Sequence, residues 1–142
     1  MPGAGKRTAG ERFFLANYRR SGIDILTGER QMDIQHSMRG DIAIIQLSGQ
    51  FGYSDEKRLT DTAGELAEKT PSTIAIDVTR VDYINSIGIA ALFAIMKAAD
   101  DISSEFVIYG MNQNVMVILE KVFENDFVPL LSEEEFRRKY LS

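Results

Sequence analysis

Polar and apolar residues alternate through Met32-Asp33-Ile34-Gln35-His36-Ser37-Met38. A period of two puts Met32, Ile34, His36 and Met38 on one face of a half-buried strand, with His36 as a structural side chain. An Arg-Gly-Asp turn leads into residues 42–49 (IAIIQLSG), apolar enough for a more deeply buried strand, and the two pair as a hairpin. Ser54, followed by Asp55 and Glu56, opens a helix with a buried stripe of Leu59, Ala63, Leu66 and Ala67. Thr70-Pro71 ends it. Residues 73–78 (TIAIDV) read as a central strand that finishes around Asp77. A loop to Asn85 leads into a helix over 86–99, and a strand follows at 105–110 (EFVIYG). Asn112 or Asn114 starts a helix that buries Val115, Ile118, Leu119 and Val122. The proline in 127–131 (FVPLL) confines that extended piece to an edge or a strand end. Ser132 and Glu135 form a capping box, so the last helix begins near 133.

After the hairpin, helices join successive strands, and such crossovers favour parallel pairing. The expected fold is α/β: a mixed sheet of four to five strands with four helices packed mainly on one side. Residues 1–30 are Gly-rich and basic with weak periodicity, and read as a partly ordered extension whose Phe13, Phe14 and Tyr18 dock on their own domain. Residues 31–142 read as one domain. The split shows in the charge. Residues 1–30 carry six Lys/Arg against three Asp/Glu, whereas 31–142 carry ten against eighteen. An acidic body repels a phosphate backbone, so nucleic acid is disfavoured and a protein partner with a basic face is favoured.

Candidate chemistry is sparse. The chain has no cysteine and one histidine, so a thiol nucleophile and the usual nitrogen- and sulfur-rich zinc sites are excluded. Gly3-Ala4-Gly5-Lys6-Arg7-Thr8 superficially resembles the end of a phosphate-binding loop, but Arg7 stands where Ser or Thr must follow the lysine, and no strand precedes it. No G-x-S-x-G elbow is present. Asp77 and Asp82 flank a loop, where aspartates commonly bond turn amides. The expectation is a protein that is not an enzyme, holds no metal or cofactor, inserts no segment into a membrane, and works in the cytoplasm.

The informative corner is Tyr83-Ile84-Asn85-Ser86-Ile87-Gly88. Asn85 suits an N-cap, and Ser86 falls at the start of the helix. Glycine inside a helix costs about 1 kcal/mol relative to alanine, so Gly88 implies close approach by another backbone, from a neighbouring loop or a docking partner. The helix behind it, from Ile87 to Met96, is apolar nearly all round, which requires cover from another helix, the N-terminal segment or a partner.

Residues 42–51 (IAIIQLSGQF), 73–92 (TIAIDVTRVDYINSIGIAAL) and 114–136 (NVMVILEKVFENDFVPLLSEEEF) together resemble the STAS domains typified by bacterial anti-sigma factor antagonists. The resemblance runs from about 31 to 137. It implies that a Ser or Thr directly before the glycine is phosphorylated by a partner kinase that is also the anti-sigma factor, and that a phosphatase resets it. Here Ile87 occupies that acceptor position, Asn85 stands where the family often has Asp, and Gly52 stands where an Asp often occurs. Ser86 is the remaining phosphorylation candidate, one residue early and hence turned by about 100° around the helix.

The leading expectation is therefore a regulatory binding protein whose phosphoswitch is altered or lost. It would bind an anti-sigma factor or related serine kinase-like ATPase through Gly52, Tyr53, Ser54, Asn85, Ser86, Ile87 and Gly88. Charge at Ser86 or bulk at Gly88 should then abolish binding and leave the fold intact. One alternative is an adaptor subunit of a signalling assembly or membrane transport system, marked by stable self-association. Another is an anion or nucleotide sensor.

Overall fold

A computed structural model of the chain describes residues 32–142; the N-terminal extension read from residues 1–30 lies outside them. The elements run β1 (Asp33–Arg39), β2 (Ile42–Ser48), α1 (Asp55–Ala67), β3 (Thr73–Arg80), α2 (Ser86–Asp101), β4 (Glu105–Tyr109), α3 (Gln113–Val122), β5 (Leu130–Leu131) and α4 (Glu133–Tyr140). The sheet order is β1-β2-β3-β4-β5. β1 is antiparallel to β2, and each later neighbour is parallel, so the sheet is mixed, with five strands and four helices. Arg39 pairs with Ile42 at the hairpin, while Ile45, Ile76 and Ile108 lie side by side across the three central strands.

Alternation along those strands sorts two cores. Ala43, Ile45, Leu47, Ile74, Ile76, Val78, Phe106 and Ile108 face α1, α2 and α3, which contribute Leu59, Ala63, Leu66, Leu92, Ile95, Val115 and Leu119. On the other face, among the described residues, Ile42, Ile44, Ala75, Val107 and Tyr109 meet one helix, α4, through Phe136. The Tyr109 and Phe136 rings stack with centroids 3.9 Å apart. The nearly all-apolar α2 is covered from within: α1 packs beside it, and Phe93 meets Phe123 at the end of α3 with ring centroids 4.8 Å apart.

Three sequence expectations need correction. His36 is exposed, because β1 is an edge strand: of its apolar face Met32 is buried and Ile34 and Met38 pack against the core, while His36 stays in solvent. β3 continues past Asp77 to Arg80, and Asp77 Oδ1 accepts from the Thr79 N–H (2.9 Å) and hydroxyl. At α1, Ser54 occupies the N-cap position without a side-chain cap bond, and the neighbouring Asp55 takes a larger part, described below. The capping box of α4 forms as expected: the Ser132 hydroxyl accepts from the Glu135 N–H, and the Glu135 carboxylate accepts from the Ser132 N–H.

Candidate functional site

The loops β2–α1, β3–α2 and β4–α3 leave the C-terminal ends of parallel strands, and two asparagines lace them together. Asn85 is extended (φ −108°, ψ −178°), which lets its Oδ1 accept from the Gly88 N–H at 3.0 Å and cap α2. Its Nδ2 donates to the Phe51 carbonyl at 2.9 Å, tying α2 to the loop before α1. Asn112 repeats the device at α3. Its Oδ1 accepts from the Val115 N–H at 2.8 Å, and its Nδ2 donates to the carbonyls of Val81 (3.3 Å) and Asp82 (3.1 Å). Each side chain offers an acceptor to its own helix and a donor to the preceding loop, a combination that an aspartate cannot provide.

Gly88 is explained by the same junction. A Cβ on Gly88 would stand 2.5 and 2.7 Å from the Phe51 ring and 2.9 Å from Ile84 Cγ1. The close approach comes from a buried aromatic side chain, not from a backbone as the sequence suggested. Bulk at Gly88 would push on the core of this corner, so the expectation that it spares the fold is corrected. Gly88 itself is buried.

A third tie lies under the loop before α1. The Asp55 carboxylate is fully buried, and its Oδ2 accepts from the N–H of Gly52 (2.6 Å) and of Met32 (3.3 Å). Its Oδ1 pairs with Arg58 Nη1 at 2.6 Å, and the same nitrogen donates to the Met32 carbonyl at 2.8 Å. The charge is thus compensated on both oxygens, as a buried carboxylate requires. Asp55 fastens the entry to β1, the loop at Gly52 and the first turn of α1 to one point.

These ties bring the residues singled out from the sequence to one corner. Tyr53 and Ser86 are exposed, Gly52, Ser54, Asn85 and Ile87 are half-buried, and Gly88 lies beneath. Ile87 packs against the main core, while its neighbour Ser86 points to solvent, in line with the turn of the helix between adjacent positions. The sequence reading offered Asn112 as a helix start, which the cap bears out, but missed its tie to the Val81–Asp82 loop, the role of Phe51 and the Asp55–Arg58 pair. Tyr83, placed in the informative corner but not among the expected binding residues, is exposed on the loop leading to Asn85.

The corner is acidic. Asp82 and Glu56 are exposed, and of the bordering cations Lys57 is paired with Asp61 and Arg58 with Asp55, while Arg80 is exposed. Displaced proton affinities lie elsewhere in the fold. Tyr109 is held well above the usual tyrosine range by burial and then by the Asp77 carboxylate, and Tyr140 is raised by burial and by its bond to Glu105. The two bonds from Ser132 hold the Glu135 carboxyl below its ordinary value. A groove of about 440 Å³ on the α4 side of the sheet is lined by Gln35, Gln46, Asp77, Arg80 and Glu133 among others, and none of the corner residues lines it. Among the described residues, no group of three His, Asp or Glu is placed to hold a metal, and no helix is long and apolar enough to cross a membrane.

The family model described as the STAS domain matches residues 33–136. The chain belongs to the STAS domain family. Several solved structures share its fold. A putative anti-sigma factor antagonist from Thermotoga maritima superposes with a TM-score of 0.66 at 14% identity, over 77% of this chain and 95% of that one. An anti-sigma factor antagonist from Mycobacterium paratuberculosis gives 0.66 at 13% identity, over 79% and 96%. The anti-sigma factor antagonist SpoIIAA in its unphosphorylated form gives 0.61 at 16% identity, over 78% and 99%. No curated protein matches the chain in sequence. STAS domains of this kind are regulatory and non-catalytic, which agrees with the lack of enzyme chemistry read from the sequence. The STAS match spans all three laced loops and α2, so the corner belongs to the family's shared frame.

Proposed function

We propose that this STAS domain acts as an anti-sigma factor antagonist, binding an anti-sigma factor or related kinase-like ATPase through the 49–54 loop and the head of α2. The observation that carries this reading is the Asn85–Phe51 bond, which joins the loop and the helix start into one surface holding Tyr53 and Ser86 in solvent. Such a surface is pre-organised, so little ordering entropy is lost on docking. The exposed carboxylates of Asp82 and Glu56 favour a basic partner face, which supports a protein over a free anion or nucleotide.

The switch differs from the one the family resemblance implies. Ile87 has no hydroxyl and packs on the core, so transfer of a phosphoryl group to that position does not occur. Ser86 remains exposed at the positive end of α2, where a phosphate would be stabilised by the helix dipole while adding nearly two negative charges to an already acidic surface. The test is a pull-down from source-cell lysate with wild type and Ser86→Asp side by side. Recovery of a kinase-like ATPase by wild type and its loss with Ser86→Asp is the expected result. Equal recovery of an assembly or transport protein by both would replace this reading with an adaptor role.

A further inference from the structure

The described residues contain four tyrosines, and they divide sharply. Tyr109 is buried against Phe136, and the Tyr140 hydroxyl donates to Glu105. Tyr53 and Tyr83, by contrast, are 81% and 55% exposed. Both exposed rings flank the same junction. Phe51 and Ile84 converge on Gly88, Tyr53 lies two residues beyond Phe51, and Tyr83 directly precedes Ile84. Consecutive Cα atoms are about 3.8 Å apart, so each tyrosine is anchored within about 7 Å of a residue locked into that contact. Their backbones are therefore held, while the rings stand in water.

Leaving two large rings in solvent beside a rigid junction gains the fold nothing, whereas tyrosine is among the residues that most often dominate binding energy at interfaces. The flanking charges define what can meet them. Asp82 adjoins Tyr83 and Glu56 lies three residues past Tyr53; of the nearby cations, Lys57 is paired with Asp61, Arg58 is paired with the buried Asp55, and Arg80 is exposed at the end of β3. With Lys57 and Arg58 held in ion pairs, the exposed Asp82 and Glu56 carboxylates favour a protein face with basic groups around apolar recesses over an anionic lipid surface or a nucleic acid.

Resting on the function proposed above, we infer that Tyr53 and Tyr83 are paired aromatic anchors for the protein partner. Each ring seats in an apolar recess with a basic rim, and the hold does not require or sense a phosphate at position 87. The anchoring belongs to the rings, with the hydroxyls remaining at the wet margin.

The test uses the purified kinase-like ATPases of the anti-sigma factor type from the same cell, titrated calorimetrically with the full chain, with and without Mg-ATP. Tyr53→Ala and Tyr83→Ala should each weaken binding tenfold or more, with thermal midpoints close to wild type. Tyr53→Phe and Tyr83→Phe should stay within about threefold of wild type, and Mg-ATP should leave the wild-type affinity unchanged. Hydroxyl-radical labelling of Tyr53 and Tyr83 should fall in the complex while that of Tyr140 does not. Alanine variants that bind within twofold of wild type would overturn the anchors and leave the proposed function standing, provided Ser86→Asp still abolishes binding. Wild type that binds none of the ATPases would overturn both.

Discussion

Two helical glycines in this chain invite the same substitution, and the structure assigns them opposite outcomes. Gly64 lies inside α1 with nothing within 4 Å of where a Cβ would stand. Gly64→Ala should therefore return only the helix-propensity gain, about 0.5–1 kcal/mol. Gly88 lies in the first turn of α2, and its Cβ would stand 2.5 Å from the Phe51 ring and 2.9 Å from Ile84. Real Cβ contacts require about 3.5–4.0 Å, so the ring must retreat by roughly 1 Å. It has little room to do so, since Phe51 is 4% exposed and its carbonyl is held by Asn85. Overpacking of this kind costs about 1–3 kcal/mol, which outweighs the propensity gain. Gly88→Ala should therefore destabilise the protein by roughly 1 kcal/mol on balance. Between the two variants the difference is on the order of 2 kcal/mol, or a separation in thermal midpoint of about 6–10 °C for a chain of this size. Urea denaturation read by far-ultraviolet circular dichroism measures it directly. Adding Phe51→Leu to Gly88→Ala should recover part of the loss, because the clash and the larger ring are removed together. If Gly88→Ala raises the midpoint as much as Gly64→Ala does, the corner has slack and the account of Gly88 fails.

Removing the laces should have graded effects. Asn85→Ala deletes both a cap and a tie between loops and should cost about 1–2 kcal/mol, whereas Asn85→Asp keeps the cap acceptor and loses the donor to Phe51. Hydrogen exchange should show the 49–54 loop loosened by both variants, and unchanged exchange there would disprove the tie. Asp55→Ala strands Arg58 and two backbone N–H groups in a partly buried site, and a loss of about 3–5 kcal/mol in urea denaturation is expected. A loss under about 1 kcal/mol would show that Asp55 does not fasten the corner. At alkaline pH, Tyr109 is the group to watch. Its folded value is raised above the ordinary value of about 10, so its contribution is full below about pH 10 and is lost as pH rises towards the folded value. Tyr109→Phe should flatten that decline in a pH series of midpoints, and an equal slope in both proteins would contradict it.

The sequence pattern revealed the layers of this fold because the three central strands are near-continuous buried runs, while α1 and α3 bury residues three or four apart. Asn85 and the Ser132–Glu135 box were legible for a related reason, since capping chemistry is local in sequence. What stayed hidden is non-local. Phe51 and Gly88 are 37 residues apart, and Asn112 reaches Asp82 across 30, so no window of sequence contains either pair. Asp55 looked like a dipole-complementing residue in a first turn because its partners at Met32 and Gly52 arrive from other segments. His36 failed in the opposite way: alternation names a face, but whether that face is covered depends on whether the strand is at the sheet edge.

The same non-local ties bear on how the corner can work as a binding surface. A loop whose position is set by one bond can be displaced by a partner at small cost, and its shape then carries little specificity. Here the 49–54 loop is held from three directions: Asn85 at the Phe51 carbonyl, the Phe51 ring on Gly88, and Asp55 at the Gly52 N–H. The 81–85 loop is held in turn by Asn112 from the next crossover. Held backbones concentrate discrimination in the side chains they present to solvent, and at this corner those are Tyr53, Tyr83 and Ser86. Loosening a lace should then lower affinity without any loss of direct contact. Asn112→Ala touches no exposed ring, yet it frees the loop that carries Tyr83, and it should weaken partner binding severalfold, mainly through faster dissociation. Surface plasmon resonance separates the two rates. Wild-type dissociation from Asn112→Ala, in a variant whose midpoint has fallen, would show that the laces stabilise the fold and leave recognition untouched.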